Sequence, residues 1–281
     1  MKFKSIMSAT VLTGTLLLTG CGEDNTSSSK TTAKSVATDF TKVDLQSEVD
    51  AYKALALEQM DSFLLETEKS DIEKAKALYP EARMFFERSE PIAESFGDLD
   101  PRIDGRLADI QDEGKGEEEW TGYHKLEYAL WVENSTQGYE EVANQLLADT
   151  KELHALVQTV EVEPDLMITG AVDLLNEVST SKITGEEEIY SHTDLYDFKA
   201  NIEGAEKIFE ILHHKIAEKD ADLVKTIEEK FSAVNELLAK HETAEGGYIS
   251  YEELTEEHTQ ALATAVNQLG EPLSQMGIIL E

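Results

Sequence analysis

Residues Phe85 to Trp131 read FFERSEPIAESFGDLDPRIDGRLADIQDEGKGEEEWTGYHKLEYALW. The last third has a helical period. Trp120, Tyr123, His124, Glu127, Leu130 and Trp131 recur three and four residues apart and share one face of a helix. Four of those six are large apolar or aromatic side chains, which predicts that the face is buried. His124 and Glu127 then lie on a greasy face within one turn of each other, close enough to share a ligand. A buried carboxylate is costly unless it is paired, hydrogen-bonded or bound to a cation. Upstream, Glu87, Glu90 and Glu94 repeat the helical spacing, followed by Asp98 and Asp100. Pro91 stands four residues after Glu87, so a helix here loses its bond to the Glu87 carbonyl, and a kink is expected. Two acidic helical faces, one carrying a histidine, have the make-up of two halves of a metal site.

Outward from this stretch the chain reads as helices and little else. Val49 to Glu68 carries a stripe of Tyr52, Leu55, Met60, Phe63 and Leu64. A second helix is expected over Asp71 to Phe96, interrupted at Pro80 and Pro91. Gly97 to Lys115 reads as a loop with one short turn at most, and the His124 helix spans Glu118 to Val132. Further helices are expected over Gln137–Val160, Pro164–Ser179, Asp222–His241 and Glu252–Met276, the last interrupted near Pro272. Ser191 is a candidate N-cap for a long helix to Ala217. Within it Leu195, Phe198, Ile202, Ala205, Phe209 and Leu212 step three and four apart, as a bundle core does. Alternating strand patterns are absent. The fold class is all-α, an antiparallel helix bundle.

The N-terminus gives an address. Met1 to Gly20 has Lys2 and Lys4, an apolar run without acids, and then Leu18-Thr19-Gly20-Cys21. This is the order of a signal peptide, too short to span a membrane. Cys21, the one cysteine, stands where a bacterial lipobox places the lipid-modified first residue, so lipidation and membrane anchoring are expected there. With no second cysteine, intrachain disulfides and a thiolate metal site are excluded. Residues 21–46 are rich in Ser, Thr, Lys and Asp and read as a flexible tether, leaving 47–281 for the folded domain.

The net charge is −34, and removal of residues 1–20, with two lysines and no acids, takes it to −36. Nucleic-acid binding is excluded, because phosphate recognition needs a basic footprint. Most of these carboxylates coat exposed helix faces. His124 has an ordinary reading too, as a core histidine hydrogen-bonded to a carboxylate. His192, Asp194 and Asp197 form a second cluster, read first as a helix cap behind Ser191 and second as a metal site. His154, His213 and His214 read as surface residues.

Several blocks resemble one known family. Gly122-Tyr123-His124-Lys125-Leu126-Glu127 is similar to the GxHxxE signature of imelysin-like proteins. ERSEPIAESFGDLDPRID, EEEWTGYHKLEYALW, GAVDLLNEVSTSKITGEEEIYSHTDLYDFKANIEGA and EPLSQ resemble the EfeO/EfeM iron-uptake component. The resemblance covers about Ser47 to Glu281, and is to the shorter EfeM-like form, without the cupredoxin domain. It implies two four-helix bundles, an extracytoplasmic lipoprotein, and delivery of iron to an Efe-type permease with a haem peroxidase partner. The chemistry agrees: imidazole and carboxylates without thiolate suit iron, and also zinc, manganese or another divalent cation. The expected ligands are His124 and Glu127, joined by Glu87, Glu90 and Asp98.

Two other functions compete. A metallopeptidase helix shows His-Glu-x-x-His, whereas His124-Lys125-Leu126-Glu127-Tyr128 lacks both the adjacent Glu and the second His. The expectation is a binding protein and not an enzyme. Binding of acidic polysaccharide is opposed by the charge unless a cation bridges the two.

Overall fold

The computed structural model describes residues 72–93, 96–157, 159 and 164–280. The signal segment, Cys21, the tether, the Val49–Glu68 helix and Glu94 lie outside the described residues. The described residues form nine α-helices and no strand: α1 (Ile72–Ala93), α2 (Leu99–Asp104), α3 (Leu107–Asp112), α4 (Tyr123–Trp131), α5 (Glu140–Val157), α6 (Pro164–Thr180), α7 (Asp194–Lys219), α8 (Ala221–Leu238) and α9 (Glu256–Leu280). An isolated bridge between Glu242 and Tyr248 is the one β-type pairing among them. The all-α bundle expected from periodicity is the fold.

Helices α6, α7, α8 and α9 close a ring, α6 packing on α7 and α9, and α8 on the same two. Leu195, Phe198, Ile202, Ala205, Phe209 and Leu212 of α7 are all buried, as their spacing requires. A second layer lies against α6 and α7. There α1 packs on both of them and on α4, which in turn packs on α5, and α2 also rests on α5.

Two glycines let α1 come close. A Cβ at Gly170 of α6 would strike the Pro91 backbone, and one at Gly204 of α7 would strike the Arg88 backbone. The backbone of α1 therefore lies directly on its neighbours, and Glu87 and Glu90 are buried.

Several boundaries differ from expectation. Helix α1 runs without interruption through Pro80 and Pro91. At Pro91 the reason is visible: the Asn201 amide donates to the Glu87 carbonyl at 3.1 Å, replacing the main-chain donor that proline lacks. Helix α9 likewise continues through Pro272, whose ring is buried with Leu269 and Leu273. The segment read as a loop holds α2 and α3, each a short helix with one buried isoleucine, Ile103 and Ile110 respectively. Trp120 is not on the His124 helix, because Gly122, with φ at 87°, breaks the chain just before Tyr123. It is buried nonetheless, donating from Nε1 to the Gly105 carbonyl at 2.7 Å. Thr193, not Ser191, stands at the N-cap of α7.

Candidate metal centre

The site is built around a buried arginine. Arg83 on α1 is fully enclosed, and its guanidinium touches five carboxylates. Nη2 meets Glu87 Oε1 at 2.5 Å and Glu187 Oε1 at 3.4 Å. Nε meets Glu188 Oε1 at 2.5 Å and Asp197 Oδ1 at 3.3 Å. Nη1 pairs with Asp104 Oδ1 and lies 3.5 Å from His124 Nε2. One face of the guanidinium is covered by the Tyr123 ring, at 5.4 Å from its centroid.

Lys182 is the second buried cation. It sits on a single 3₁₀ turn, Lys182–Thr184, bonds Glu87 at 3.2 Å and Glu90 at 3.0 Å, and forms an ion pair with Glu187 at 3.6 Å. The Asn201 amide completes that end, donating to Glu87 Oε2 at 2.8 Å and Glu90 Oε2 at 3.0 Å.

His124 stands in the first turn of α4 with a carboxylate pair at each ring nitrogen. Nδ1 lies 3.2 Å from Glu127 Oε2 and 3.9 Å from Glu188 Oε1. Nε2 lies 3.6 Å from both Asp104 Oδ1 and Glu187 Oε1. Each trio, Asp104–His124–Glu187 and His124–Glu127–Glu188, brings its ligand atoms within 4.8 Å of one another. The two ends of the ring are not equivalent. Glu127 is tied down: Oε1 accepts the Tyr190 and Ser191 amides at 2.9 and 2.7 Å, and Oε2 faces Nδ1. A carboxylate held beside Nδ1 keeps a proton there, so Nε2 is the nitrogen a metal would take, displacing the proton it carries at neutral pH.

Eight carboxylates, those of Glu87, Glu90, Asp104, Glu127, Glu187, Glu188, Asp194 and Asp197, have almost no solvent contact. The fixed charges among them are Arg83 and Lys182, joined at the rim by Arg106, which lies 3.5 Å from Glu187 Oε2. Protonation takes up the imbalance. Burial pushes Asp104 up to about 7 despite the Arg83 charge beside it, and pushes Asp194 up to about 6. Glu188 is raised by burial and by Glu127, and Glu90 by burial and Glu87. Burial likewise raises Asp197. Glu187 moves the other way, because Lys182, His124 and Arg83 outweigh its burial. Burial and Arg83 pull His124 down, but its hydrogen bonds to Glu127 and Glu187 and the Asp104 charge win, holding it at about 9. A multivalent cation fits this donor set: it supplies the missing charge and its ligands are hard oxygens plus one imidazole.

A cavity of about 320 Å³ leads in from the surface, bounded by Leu107, Asp109 and Asp112 of α3 and by Glu186, Ile189 and Tyr190. Its inner wall is His124, Glu127 and Glu187, with Trp120 and Arg106 at the sides.

Of the residues expected as ligands, His124, Glu127, Glu87 and Glu90 are brought into one cluster. Asp98 is not: it is exposed and 3.8 Å from Arg102, and Asp104 at the other end of α2 reaches the cluster instead. Asp194 and Asp197 belong to the same cluster and not to a separate one, while His192 stays at the rim, 3.7 Å from Glu252. Arg83, Lys182, Asp104, Glu187, Glu188 and Asn201 were not anticipated. The one sequence hint was the Glu186-Glu187-Glu188 run, which reads as solvated charge.

A helical bundle enclosing a buried histidine–carboxylate cluster is the class of protein that fold and site define. The family follows from comparison. The Imelysin model (Peptidase M75) matches residues 44–276, and the chain belongs to that family. A Staphylococcus aureus (strain MSSA476) protein named Efem/EfeO family lipoprotein is 52% identical over 261 residues, covering 90% of each chain. One of the same name from Staphylococcus haemolyticus (strain JCSC1435) is 49% identical, covering 96% of this chain and 98% of its own. Among the described residues no helix is long and apolar enough to cross a membrane.

Proposed function

We propose that the chain is a lipid-anchored, extracytoplasmic iron-binding protein of an Efe-type uptake system. It captures ferrous or ferric iron and hands it to a membrane permease. One observation carries the reading: His124 Nε2, Asp104 Oδ1 and Glu187 Oε1 converge where His124 and Glu187 line an open cavity, amid more carboxylates than the fixed cations Arg83, Lys182 and Arg106 can balance. The family resemblance supplies the identity of the ion, the permease and the haem peroxidase partner, and the lipobox at Cys21 supplies the anchor.

In this reading iron enters between α3 and residues 186–190, drawn by Asp109, Asp112 and Glu186. It takes Nε2 of His124 with Asp104 and Glu187. Glu127 orients the ring through Nδ1 and is itself fixed by two main-chain amides. Glu87 and Glu90 hold Lys182, which steadies Glu187. No bond is made or broken, so the protein acts by binding alone. Anaerobic calorimetry with Fe²⁺ on the domain from residue 47 onward tests this. One ion is expected per chain, with binding lost in His124→Ala. Binding by that variant at the wild-type affinity would overturn the reading.

A further inference from the structure

The oxygens that converge on His124 Nε2 are the ones Arg83 holds. Asp104 Oδ1 pairs with Nη1, and Glu187 Oε1 lies 3.4 Å from Nη2. Nη1 is itself 3.5 Å from Nε2. A metal ion at Nε2 and the guanidinium therefore claim the same two atoms and the same volume. A cation of charge two or more outcompetes a single guanidinium for shared oxygens, but the displaced guanidinium is buried and needs an acceptor. One stands next to it. Asp197 lies outside both histidine trios, already contacts Nε at 3.3 Å, and keeps a buried oxygen, Oδ2, with no hydrogen-bond partner. Glu87, one turn along α1, is a second partner that the guanidinium need not release.

We propose that Arg83 is an exchangeable counter-cation: a metal ion arriving at His124 Nε2 displaces its guanidinium from Asp104 and Glu187, and Asp197 with Glu87 receives it. This rests on the metal reading above and adds a device to it. The protein carries its own competitor for the cargo, which lowers affinity and speeds release compared with the same ligands alone. Arg83 is thus an affinity-setting residue and not a ligand, and Asp197 acts through it.

The test is a double-mutant cycle read by anaerobic Fe²⁺ affinity and release rate, on wild type, Arg83→Gln, Asp197→Asn and the double variant. Arg83→Gln is expected to tighten binding by about tenfold or more and to slow release, because the competing charge is gone. Asp197→Asn is expected to weaken binding by about tenfold in the wild-type background and by less than about twofold beside Arg83→Gln. If Arg83 merely braces the ligands, Arg83→Gln weakens binding instead. If Asp197 acts only through its charge, its effect persists in the double variant. Either result overturns the proposal. A crystal structure of the Fe²⁺-loaded wild type decides the matter even if Arg83→Gln does not fold: Arg83 should have left Asp104 for both oxygens of Asp197, and an unchanged Arg83–Asp104 pair refutes exchange. His124→Ala, run alongside, separates the two levels. Wild-type affinity in that variant removes the metal reading itself, whereas lost affinity together with weaker binding in Arg83→Gln removes only the exchange.

Discussion

Asn201 of α7 donates to the main-chain carbonyl of Glu87, the carbonyl that Pro91 leaves without a helical donor. The same amide also holds the Glu87 and Glu90 carboxylates. One side chain thus repairs a helix and fixes two acids of the site. Asn201→Ala should leave a buried carbonyl unpaired and cost about 1–3 kcal/mol. Urea unfolding measures this, and a loss below a few tenths of a kcal/mol would show that Pro91 needs no such repair.

Iron affinity should rise with pH across the range where Asp104, at about 7, and His124, at about 9, lose their protons. Binding should therefore release protons, and the calorimetric heat at pH 7 should depend on the buffer's ionisation enthalpy. A flat affinity between pH 6 and pH 9 contradicts the proposed ligands.

Stability of the chelator-stripped protein should move the opposite way. Asp104, Asp194 and His124 all have raised folded-state values, so each favours folding below its unfolded value. That contribution disappears as pH rises through about 6 for Asp194, about 7 for Asp104 and about 9 for His124. Glu87, Glu127 and Glu187 are lowered and lose their contribution in acid. The melting temperature is therefore expected to peak in mildly acidic buffer and fall toward pH 9; a steady rise over that range would be the contrary result.

Glu127 and Asp98 make a contrasting pair. Glu127→Gln removes the carboxylate that orients His124, and should weaken iron binding by about 10–100-fold. Asp98→Asn, at an exposed acid near Arg102, should leave it unchanged. Equal losses in both would return Asp98 to the site.

Gly122→Ala should destabilise the domain by about 1 kcal/mol or more, since φ is 87° and a Cβ would meet the Ile103 and Arg102 carbonyls. Because Tyr123 and His124 follow directly, iron affinity should fall with stability. Wild-type stability in this variant would mean the turn relaxes.

Cys21→Ala should release the protein from the membrane fraction or leave its signal segment uncleaved, and unchanged fractionation would rule out the anchor.

The bundle was legible because its signal is local: the spacing from Leu195 to Leu212 marks a buried face without knowledge of the partner. His124 and Glu127 were legible for the same reason, as polar residues on an apolar stripe. Asp104 and Lys182 were not, since one ends a six-residue helix and the other sits in a single 3₁₀ turn, both too short to show a period, and each owes its burial to distant helices. Arg83 lies one turn before Glu87, and nothing local distinguishes a buried arginine–glutamate pair at that spacing from an exposed one. Asp98 matched the acidic pattern, but α2 turns it outward and brings Asp104 in.

The backbone contact that Gly170 and Gly204 permit has a consequence for the order of assembly. The acids on α1 reach Lys182 and Asn201 only after α1 has settled on α6 and α7, elements about a hundred residues further along the chain. An extended or partly folded chain has the ligand types but no convergent set of them. Metal should therefore bind the native form alone, and excess cation should raise the unfolding midpoint in proportion to the logarithm of its concentration. Resistance to proteolysis would rise with it, so that cargo status and turnover of the protein become linked.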